Sequence, residues 1–435
     1  MEAGVVSPRY ESYKPAKSPW IQEVPSHWKL LPGFAVLKAN KDKNIGMIEK
    51  VVLSLSYGKV IIKPPEKLTG LVPESFETYQ IINPNDIIIR PTDLQNDHIS
   101  LRTGLAKDRG IITSAYICLR PDPSHNPVFM YYLLHAYDLL KVYYGMGSGL
   151  RQNLDYGDFK RLEFCIPPRD EQDRIANFLD QKTAEIDAAI AKKQHLIELL
   201  KEQKAILINQ AVTKGLNPDT PMRDSGVEWI GEVPEHWSFP QFRYCCSVIK
   251  DGLHHTPAKY QEGVNFVSTQ HVRNRRINTD NATFISVKAY KEGHPRVRPE
   301  TGDVLITLVG SIGFAALVQE SHLPLSFTRH VGYVRCDKRK LNQQYLINYT
   351  ESHIFKCFIE KNVSQTAQPS IYLSCLSAHK IPLPPLDEQQ EIVNRISIET
   401  SPYDQAIDQA QEEILKLEEF KKVVISEAVT GKIKL

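Results

Sequence analysis

Two long stretches of the chain share one spacing of apolar residues. Each begins at an Asp-Glu-Gln triplet, Asp170–Gln172 in the first stretch and Asp387–Gln389 in the second. The apolar positions recur at steps of three, four and seven: Ile175, Leu179, Ile186, Ile190, Ile197, Leu200, Leu207 and Ala211, then Ile392, Ile396, Tyr403, Ile407, Ile414, Leu417, Val424 and Ala428. This spacing predicts two helices of roughly 40 residues, about 60 Å long at ~1.5 Å per residue. So narrow a stripe is typical of a seam between helices, and we expect an antiparallel coiled coil. Two unrelated surface helices are the alternative.

The two stretches belong to a repeat that covers most of the chain. Ala211–Thr213 recurs as Ala428–Thr430, 217 positions later, which is also the offset between the two triplets. Trp20–Trp28 recurs as Trp229–Trp237 at an offset of only 209, so the second copy has about eight more residues after its Trp motif. A repeat of this length indicates two copies of one module, because solenoid repeats have periods of about 20–50 residues. Two copies imply approximate two-fold symmetry, which suits a protein that reads two half-sites on duplex DNA.

The segments outside the long stretches have a different pattern. Residues 29–168 and 238–385 contain short β-type runs bounded by Pro, Gly, Asn and Asp, and one helical stretch each, around Val128–Val142 and Tyr345–Glu360. The pattern predicts an α+β fold, with two mixed α/β modules related by a pseudo-two-fold axis and separated by the two antiparallel helices. The predicted domains are the N-terminal segment with the first module, the first helix, the second module and the second helix, at 1–168, 169–216, 217–385 and 386–435.

Composition limits the classes of function only weakly. The 435 residues include 53 basic and 51 acidic side chains, a net charge of +2, so a surface for nucleic acid would have to be local. The seven cysteines form no CxxC pair, which predicts reduced thiols in a cytosolic protein. The N-terminus has no apolar core typical of a signal peptide, and no run of 18 apolar residues occurs. The expected compartment is the cytoplasm.

Three local patterns resemble catalytic or metal sites, and each fails on context. The loop Gly145–Gly149 follows a helical stretch rather than a strand, unlike a glycine-rich cofactor loop. Cys245-Cys246 with His254-His255 suggests zinc, but adjacent cysteines lack the usual spacing of zinc ligands. Asp93 and Asp97 lie among Thr, Gln and Asn, a mixture typical of hydrogen-bonding readout rather than acid catalysis. We therefore expect no catalytic residue, no bound cofactor and no metal in this chain.

Polar and basic loops in both modules contain the candidate DNA-binding residues. Arginine offers bidentate contacts to guanine or phosphate, and Asn and Gln offer them to adenine. In the first module the candidates are Ser56, Tyr57, Lys59, Arg90, Thr92, Asp93, Gln95, Asn96, Arg102, Gln152 and Asn153. In the second module they are His254, His255, Thr256, Gln270, His271, Arg273, Asn274, Arg275, Arg276, Gln365 and Gln368. A solvated basic loop without a ligand is the alternative for the Arg-rich segment 271–298.

The combined motifs resemble those of a known family. The motifs Trp-Ile-x-Glu-Val-Pro-x-His-Trp and Pro-Pro-x-Asp-Glu-Gln each occur twice, and each long stretch ends in Ala-Val-Thr. From about Trp20 to Leu435 the chain resembles the specificity subunit of type I restriction–modification systems. The resemblance implies two target-recognition domains that each read half of a bipartite DNA sequence, without catalysis by this chain. It also implies partners: two adenine-N6 methyltransferase subunits that bind S-adenosylmethionine, and restriction subunits that use ATP and Mg²⁺.

Two other classes of function stay open at this point. A coiled-coil scaffold that binds proteins and does not read DNA is disfavoured by the Arg-rich segment 271–298. A self-sufficient methyltransferase is disfavoured because no cofactor loop is found. If the chain is a specificity subunit, we expect the helix pair to act as a spacer between half-sites about one helical turn apart, roughly 34 Å. The partner would then flip the adenine, since its chemistry needs the base outside the stack.

Overall fold

Each long helix is shared between two compact units of the fold. The first unit draws on residues 1–193 and 412–435, and the second draws on residues 194–411. Each unit therefore combines one module with the N-terminal part of one long helix and the C-terminal part of the other. The structure, a computed structural model, describes residues 9–16, 18, 20–64, 66, 75–92, 94, 101–146, 153–227, 230–294, 298–364 and 368–435.

The first module is built from short strands and short helices that precede its long helix. Its strands are β1 (Tyr13–Pro15), β2 (Glu23–Pro25), β3 (Lys29–Pro32), β4 (Leu37–Ala39), β5 (Leu53–Ser56), β6 (Lys59–Ile62), β7 (Gln80–Ile82), β8 (Ile87–Ile89), β9 (Thr103–Leu105), β10 (Gly110–Ile112), β11 (Ile117–Pro121) and β12 (Glu163–Ile166). Its helices are α1 (Gly33–Val36), α2 (Pro127–Leu139), α3 (Tyr156–Arg161) and the long α4 (Arg169–Lys214). Asn126 caps α2 by accepting from two backbone N–H groups of the first turn, which would otherwise lack partners.

The second module has a related order of short strands and helices, but its elements do not correspond one to one with those of the first. Its strands are β13 (Met222–Asp224), β14 (Glu232–Pro234), β15 (Cys246–Asp251), β16 (Val264–Val267), β17 (Val272–Arg273), β18 (Arg276–Ile277), β19 (Thr283–Ile285), β20 (Val304–Thr307), β21 (Ala315–Leu317), β22 (Leu325–Phe327) and β23 (Val331–Cys336). Its helices are α5 (Val287–Gly293), α6 (Gln343–Glu351), α7 (His353–Asn362), α8 (Leu373–Ala378) and the long α9 (Leu386–Val429).

The two modules contain equivalent four-stranded antiparallel sheets. The strand order is β4-β11-β8-β9 in the first module and β15-β23-β20-β21 in the second. The inner strands β8 and β20 are buried along their whole length, as their continuous apolar sequence indicates. A buried aspartate beside each inner strand forms a two-pronged pair with an arginine, Asp86 with Arg120 and Asp303 with Arg335, at 2.8 and 2.9 Å in both modules. The shared strand order supports descent of both modules from one fold.

Interhelical ion pairs show that the long helices run antiparallel within each unit. In the first unit Lys421 of α9 bonds Asp187 of α4 at 2.7 Å, and Lys193 pairs with Glu413. In the second unit Lys204 of α4 bonds Asp404 of α9 at 2.6 Å, and Ile208, later in α4, shares a core with Ile396, earlier in α9. Lys204 and Lys421 are 217 positions apart, and so are Asp187 and Asp404. The repeat thus places the same ion pair once in each unit.

The predicted α+β fold, with two mixed modules and long helices, is confirmed. The seam is buried most deeply where the helices meet the modules, at residues such as Ile175, Leu179, Ile392 and Ile396, and several positions between are half-buried. One expectation needs correction. The helical stretch around Tyr345–Glu360 is two helices, because Ser352 takes an extended backbone conformation and caps α7 by accepting from the N–H of Phe355.

Candidate nucleic-acid interface

In the first unit, the Trp motif and the Asp-Glu-Gln motif meet at one buried carboxylate. Glu171, in the first turn of α4, accepts from the indole Nε1 of Trp28 at 3.1 Å, and its second oxygen lies 2.8 Å from Nε2 of His27. The hydroxyl of Tyr10 also donates to Glu171. Burial of the Tyr10 hydroxyl is the larger cause, and its hydrogen bond to Glu171 the next, of a pKa of Tyr10 above its usual range. We call these four residues the first clamp; its donors offset the cost of burying a carboxylate.

The second unit repeats this arrangement with one donor fewer. Glu388, in the first turn of α9, accepts from Nε1 of Trp237 at 3.1 Å and lies 2.7 Å from Nε2 of His236. Trp237 is almost fully buried, whereas 23% of the Glu388 side chain is exposed. We call these three residues the second clamp. Each clamp fixes the start of a long helix against the strand pair that carries the Trp motif.

The glutamine after each glutamate connects the long helix to its module. Gln172 donates to the carbonyl of Pro167 at 2.9 Å and accepts from the backbone N–H of Asn126 at 2.8 Å. Gln389 makes the equivalent bonds, to Pro384 at 2.9 Å and from Asn342 at 2.8 Å. Because Asn126 and Asn342 cap α2 and α6, the orientation of each module on its long helix is fixed by neutral hydrogen bonds as well as by the clamp.

A glycine after each long helix allows the chain to turn against a clamp. Gly215 and Gly431 have φ values of +72° and +74°, in the left-handed region where helices commonly end. In the second unit, a Cβ on Gly215 would lie 3.2 Å from Glu388 and 3.4 Å from Trp237. In the first unit, a Cβ on Gly431 would come within 2.4 Å of Pro25. Each clamp thus contacts the beginning of one long helix and the end of the other.

Each module presents one short hairpin at equivalent positions of the repeat. Strands β5 and β6 are joined by Tyr57-Gly58, and β17 and β18 by Asn274-Arg275, 217 positions later. All four turn residues have positive φ, from +47° to +75°, which is the geometry of a type I′ hairpin turn. The first hairpin packs on Gly104 of β9, and the second reaches Ala316 of β21 through a parallel bridge at Arg275.

The first hairpin exposes its predicted site residues. Tyr57 is 81% exposed, Lys59 is exposed and Ser56 is half-buried. The offset at this hairpin is already 217, so the extra residues of the second copy lie between Trp237 and Asn274. They therefore precede the second hairpin and do not alter its turn.

The second hairpin divides the predicted basic cluster into internal and exposed residues. Arg275 forms a bidentate pair with Glu351 of α6 at 2.6 and 2.8 Å. Arg273 donates to the carbonyl of Thr269 at 2.6 Å, with its guanidinium 4.4 Å from the ring centre of Phe314. Asn274 and Arg276 at the tip are exposed, and so is Gln270 beside the hairpin. Arg273 and Arg275 are therefore bound to other parts of the module, whereas Arg276 is exposed to solvent.

Two predicted contact residues are buried inside their modules. The side chain of His271 is 8% exposed and accepts from the backbone N–H of Ser268 at 3.0 Å. Arg102 is 3% exposed and donates to the carbonyls of Arg90 and Thr92 at 3.2 and 2.6 Å. Both side chains organise the loops around them, and neither is placed on the surface. Their observed contacts are therefore those of loop support, and their predicted contact with DNA stays a prediction.

In the first module, the structure brings two of the predicted loops together. The N–H of Leu154 donates to the carbonyl of Pro91 at 3.0 Å, which places the loop of Asn153 beside the loop of Arg90 and Thr92. Arg90 and Asn153 are exposed and Thr92 is half-buried. Five further predicted residues lie outside the described part of the chain: Asp93, Gln95, Asn96, Gln152 and Gln365.

The equivalent loops of the second module border a groove. The N–H of Ile371 donates to the carbonyl of Leu308 at 2.9 Å, the repeat counterpart of the Leu154–Pro91 bond. The groove has a volume of about 540 Å³, and its polar lining includes Asp251, Arg329, His330, Gln368, Ser370, Tyr372 and Ser374. Its rim continues to His254, which lies 3.0 Å from Asp251 and is followed by exposed His255 and Thr256.

Six of these seven groove residues were not predicted from the sequence, among them Arg329, His330 and Tyr372. Arg329 and Tyr372 are exposed and His330 is half-buried; Arg329 and His330 are neighbours in the chain, whereas Tyr372 lies in a separate segment after Ile371. The repeat is the sequence signal that could have located the groove. Leu308 and Ile371 are the counterparts of Pro91 and Leu154, so loops that meet in one module are expected to meet in the other.

Comparison with known proteins assigns the chain to a family. A family model described as the type I restriction modification DNA specificity domain matches residues 48–199 and 256–419. The chain belongs to this specificity family. Both hairpins lie inside the matched ranges, one in each copy of the specificity domain.

Relatives of the specificity family match along most of the chain. The MjaVIII specificity subunit of Methanocaldococcus jannaschii is 24% identical over 361 residues, which cover 82% of this chain and 80% of its own length. The EcoBI specificity subunit of Escherichia coli is 22% identical over 324 residues, 72% of this chain and 67% of its own. A solved chain from work on assembly and conformational transition of a type I R-M system covers 94% of this chain and 99% of its own, at 16% identity and a TM-score of 0.65. That likeness shows a shared fold.

The described residues of this specificity-family chain contain neither a candidate metal site nor a helix suited to span a membrane. In the ranges given above, no group of three His, Cys, Asp or Glu side chains is arranged to hold a metal ion. Cys246 and Cys336 face each other across β15 and β23, and the structure contains them as free thiols. Among the helices of the same ranges, none combines the length and apolar character needed to cross a bilayer.

Proposed function

We propose that this chain reads a bipartite sequence on duplex DNA, with one half-site for each module, within a type I restriction–modification complex. The observation that carries the proposal is the contrast between a repeated frame and different surface chemistry. The clamps, the glutamine bonds and the sheet order recur in both units. The exposed residues at equivalent positions differ, such as Tyr57 against Asn274 at the hairpin tips, and exposed Arg329 stands where the first module has buried Ile112.

The surface chemistry suits recognition of base edges more than neutralisation of phosphates alone. The second module has exposed amide, imidazole and guanidinium groups around its groove and hairpin, including Gln368, His255 and Arg276. Such groups make the directional contacts that distinguish base pairs in the major groove. With a net charge of +2, the chain does not depend on its overall charge to attract DNA. Local loops therefore provide the specificity in this proposal.

In the proposed complex, chemistry belongs to the partner subunits. Two adenine-N6 methyltransferase subunits would bind S-adenosylmethionine and extrude the target adenine, while each module of this chain holds one of them at its half-site. Restriction subunits, where present, would use ATP and Mg²⁺. The relatives, which are specificity subunits of type I restriction enzymes, support this division of labour.

Methylation profiling of the complete complex tests the proposal. The chain is co-expressed with the methyltransferase of its own system, and methylated adenines are mapped across a host genome. We expect one bipartite sequence with two specified halves and an unspecified centre. Exchange of residues 29–165 for the segment of another family member should replace one half and leave the other unchanged. A single undivided sequence, or methyl transfer by the purified chain alone, would contradict the proposal.

The spacer role of the helices has a separate test. An insertion of seven residues lengthens a helix by about 10 Å, roughly the length of three base pairs. Because Asp187 pairs with Lys421, we place matched insertions after Ala188 in α4 and before Phe420 in α9. The expected result is a longer unspecified centre, by up to roughly three base pairs, with both half-sites retained. An insertion in α4 alone is the control, and it should disrupt the helix register. Changed half-sites would show that the helices read bases.

Binding should also weaken steeply with salt, because phosphate contacts release counterions. Filter or fluorescence titrations of the assembled complex between about 50 and 200 mM salt measure this dependence on specific and unrelated duplexes. A salt-independent affinity for both duplexes would contradict a DNA-binding role for the modules.

A further inference from the structure

The hairpin turns supply an inference that rests on the proposed function and extends it to single residues. Tyr57 and Asn274 occupy the first central position of two type I′ turns at equivalent points of the repeat. We propose that these two side chains are specificity-determining residues, and that each hairpin enters the major groove of its half-site with this residue at the tip. The major groove is wide enough to admit a two-stranded ribbon.

The backbone conformation of Tyr57 supports a role in binding. Its φ of +47° lies in the left-handed region, which bulky residues rarely adopt and which glycine adopts freely. Its ring is 81% exposed, and among the described residues it has no hydrogen bond or ring contact. Packing therefore does not offset the conformational cost of a tyrosine here. An exposed aromatic ring held in a strained turn points to a ligand, since such strain persists mainly where function requires it.

The second hairpin is held in place by contacts with its own module. Arg275 is fixed by its bidentate pair with Glu351, and Arg273 by Phe314 and the carbonyl of Thr269. The two flanking arginines are thus held by the module, and Asn274 between them is exposed. This arrangement orders the tip before any ligand binds, which lowers the entropic cost of association.

The two tips then read DNA with different chemistry. An asparagine amide donates to and accepts from the major-groove edge of adenine, so Asn274 should specify an adenine in its half-site. A tyrosine ring offers apolar contact to the methyl group of thymine, with a hydroxyl for a neighbouring base edge. Lys59 and Arg276, the exposed residues that follow each turn, are placed to contact phosphates and position the ribbon.

The experiment uses the complete complex with its methyltransferase. Methylation rates are measured on the wild-type target duplex and on duplexes with each specified base pair changed in turn. We expect Asn274→Ala to lower the discrimination at one position of the second half-site by about tenfold, and Tyr57→Ala to do so at one position of the first. Tyr57→Phe should keep most of the discrimination. Tyr244→Ala, which removes another exposed tyrosine outside the hairpins, is the matched control and should change nothing.

Tyr57→Gly separates recognition from folding. Glycine adopts the positive φ without strain, so this variant should have an unchanged or higher Tm while losing the same discrimination as Tyr57→Ala. The proposal is overturned if Tyr57→Gly and Asn274→Ala retain the wild-type base preferences, or if they weaken all duplexes equally. A wild-type complex without any bipartite target would instead refute the proposed function itself, so the two failures are distinguishable.

Discussion

The two clamps use one geometry with different degrees of burial. The side chain of Glu171 in the first unit is 6% exposed and has Tyr10 as a third donor, whereas the side chain of Glu388 is 23% exposed and has two donors. Tyr10 lies in the N-terminal segment, whose counterpart in the second unit, at an offset of 209, carries Asp219. The difference shows that a more deeply buried carboxylate has been given more donors, as its loss of hydration requires.

The C-terminal ends of the long helices are also more closely packed in the first unit than in the second. A Cβ on Gly431 would meet Pro25 at 2.4 Å, whereas a Cβ on Gly215 would meet its neighbours at 3.2 Å or more. The hydroxyl of Tyr13 also donates to the carbonyl of Gly431 at 3.1 Å. The first clamp is therefore more tightly packed on both sides, and four pairs of matched variants can test whether that packing matters.

The largest effect is expected from the clamp tryptophans. Trp28→Ala and Trp237→Ala should each lower the free energy of unfolding by about 3–5 kcal/mol, because each removes a buried indole and leaves a glutamate short of a donor. Urea unfolding measures the loss, and hydrogen exchange locates it. Each variant should lose protection mainly in its own unit. Equal loss in both units from either variant would contradict two separate cores.

The clamp glutamates should separate the two units. Glu171→Ala removes a buried acceptor shared by three donors and should cost about 2–4 kcal/mol, whereas Glu388→Ala removes a partly exposed acceptor shared by two and should cost about 1–2 kcal/mol. Chemical denaturation of both variants gives the comparison. The glutamine variants, which keep the volume and an acceptor oxygen, should lie closer to wild type. Equal costs for the two alanine variants would remove the distinction between the clamps.

The helix-terminal glycines should show a smaller difference. Alanine at either position has to adopt the left-handed backbone conformation, which costs about 1–2 kcal/mol of folding free energy. Gly431→Ala adds a close contact with Pro25, so its total should reach about 2–3 kcal/mol, against about 1–2 kcal/mol for Gly215→Ala. Thermal unfolding of the two variants measures the order. A greater loss from Gly215→Ala would reverse the ranking of the two clamps.

The smallest effects belong to the repeated ion pair. Double-mutant cycles on Lys204 with Asp404, and on Lys421 with Asp187, should each give a coupling of about 0.2–1 kcal/mol, because half of each aspartate side chain is exposed. Both couplings should decrease at high salt. A coupling well above this range in only one unit would show that the repeat does not carry equivalent interactions.

Much of the fold could be predicted because its signals are local or repeated. The Pro-Pro pairs and the positive-φ glycines Gly215 and Gly431 mark both ends of the long helices, and the apolar stripe marks their seam. The role of Tyr10 could not be predicted, since it depends on a contact with Glu171 across 161 positions and the segment around it has no periodic pattern.

The candidate site was less predictable, for reasons that concern individual side chains. An arginine in a polar loop looks the same in sequence whether it faces solvent or a carboxylate. Arg275 meets Glu351, 76 positions away, and the guanidinium of Arg102 turns inward to two carbonyls. Conversely, Arg329 and Tyr372 reach the groove from segments that carry no local signal.

The division of the units across the long helices affects the order in which the chain can fold during synthesis. The second unit is one continuous segment, residues 194–411, whereas the first requires residues 412–435 as well. Val424, Ile425, Ala428 and Val429 belong to the core that contains Trp28 and Ile175. At roughly 5–20 residues per second, a ribosome makes the whole second unit while this core is still incomplete. The first unit begins earlier along the chain but completes its core last. We therefore expect chaperones to bind nascent chains mainly at the first module.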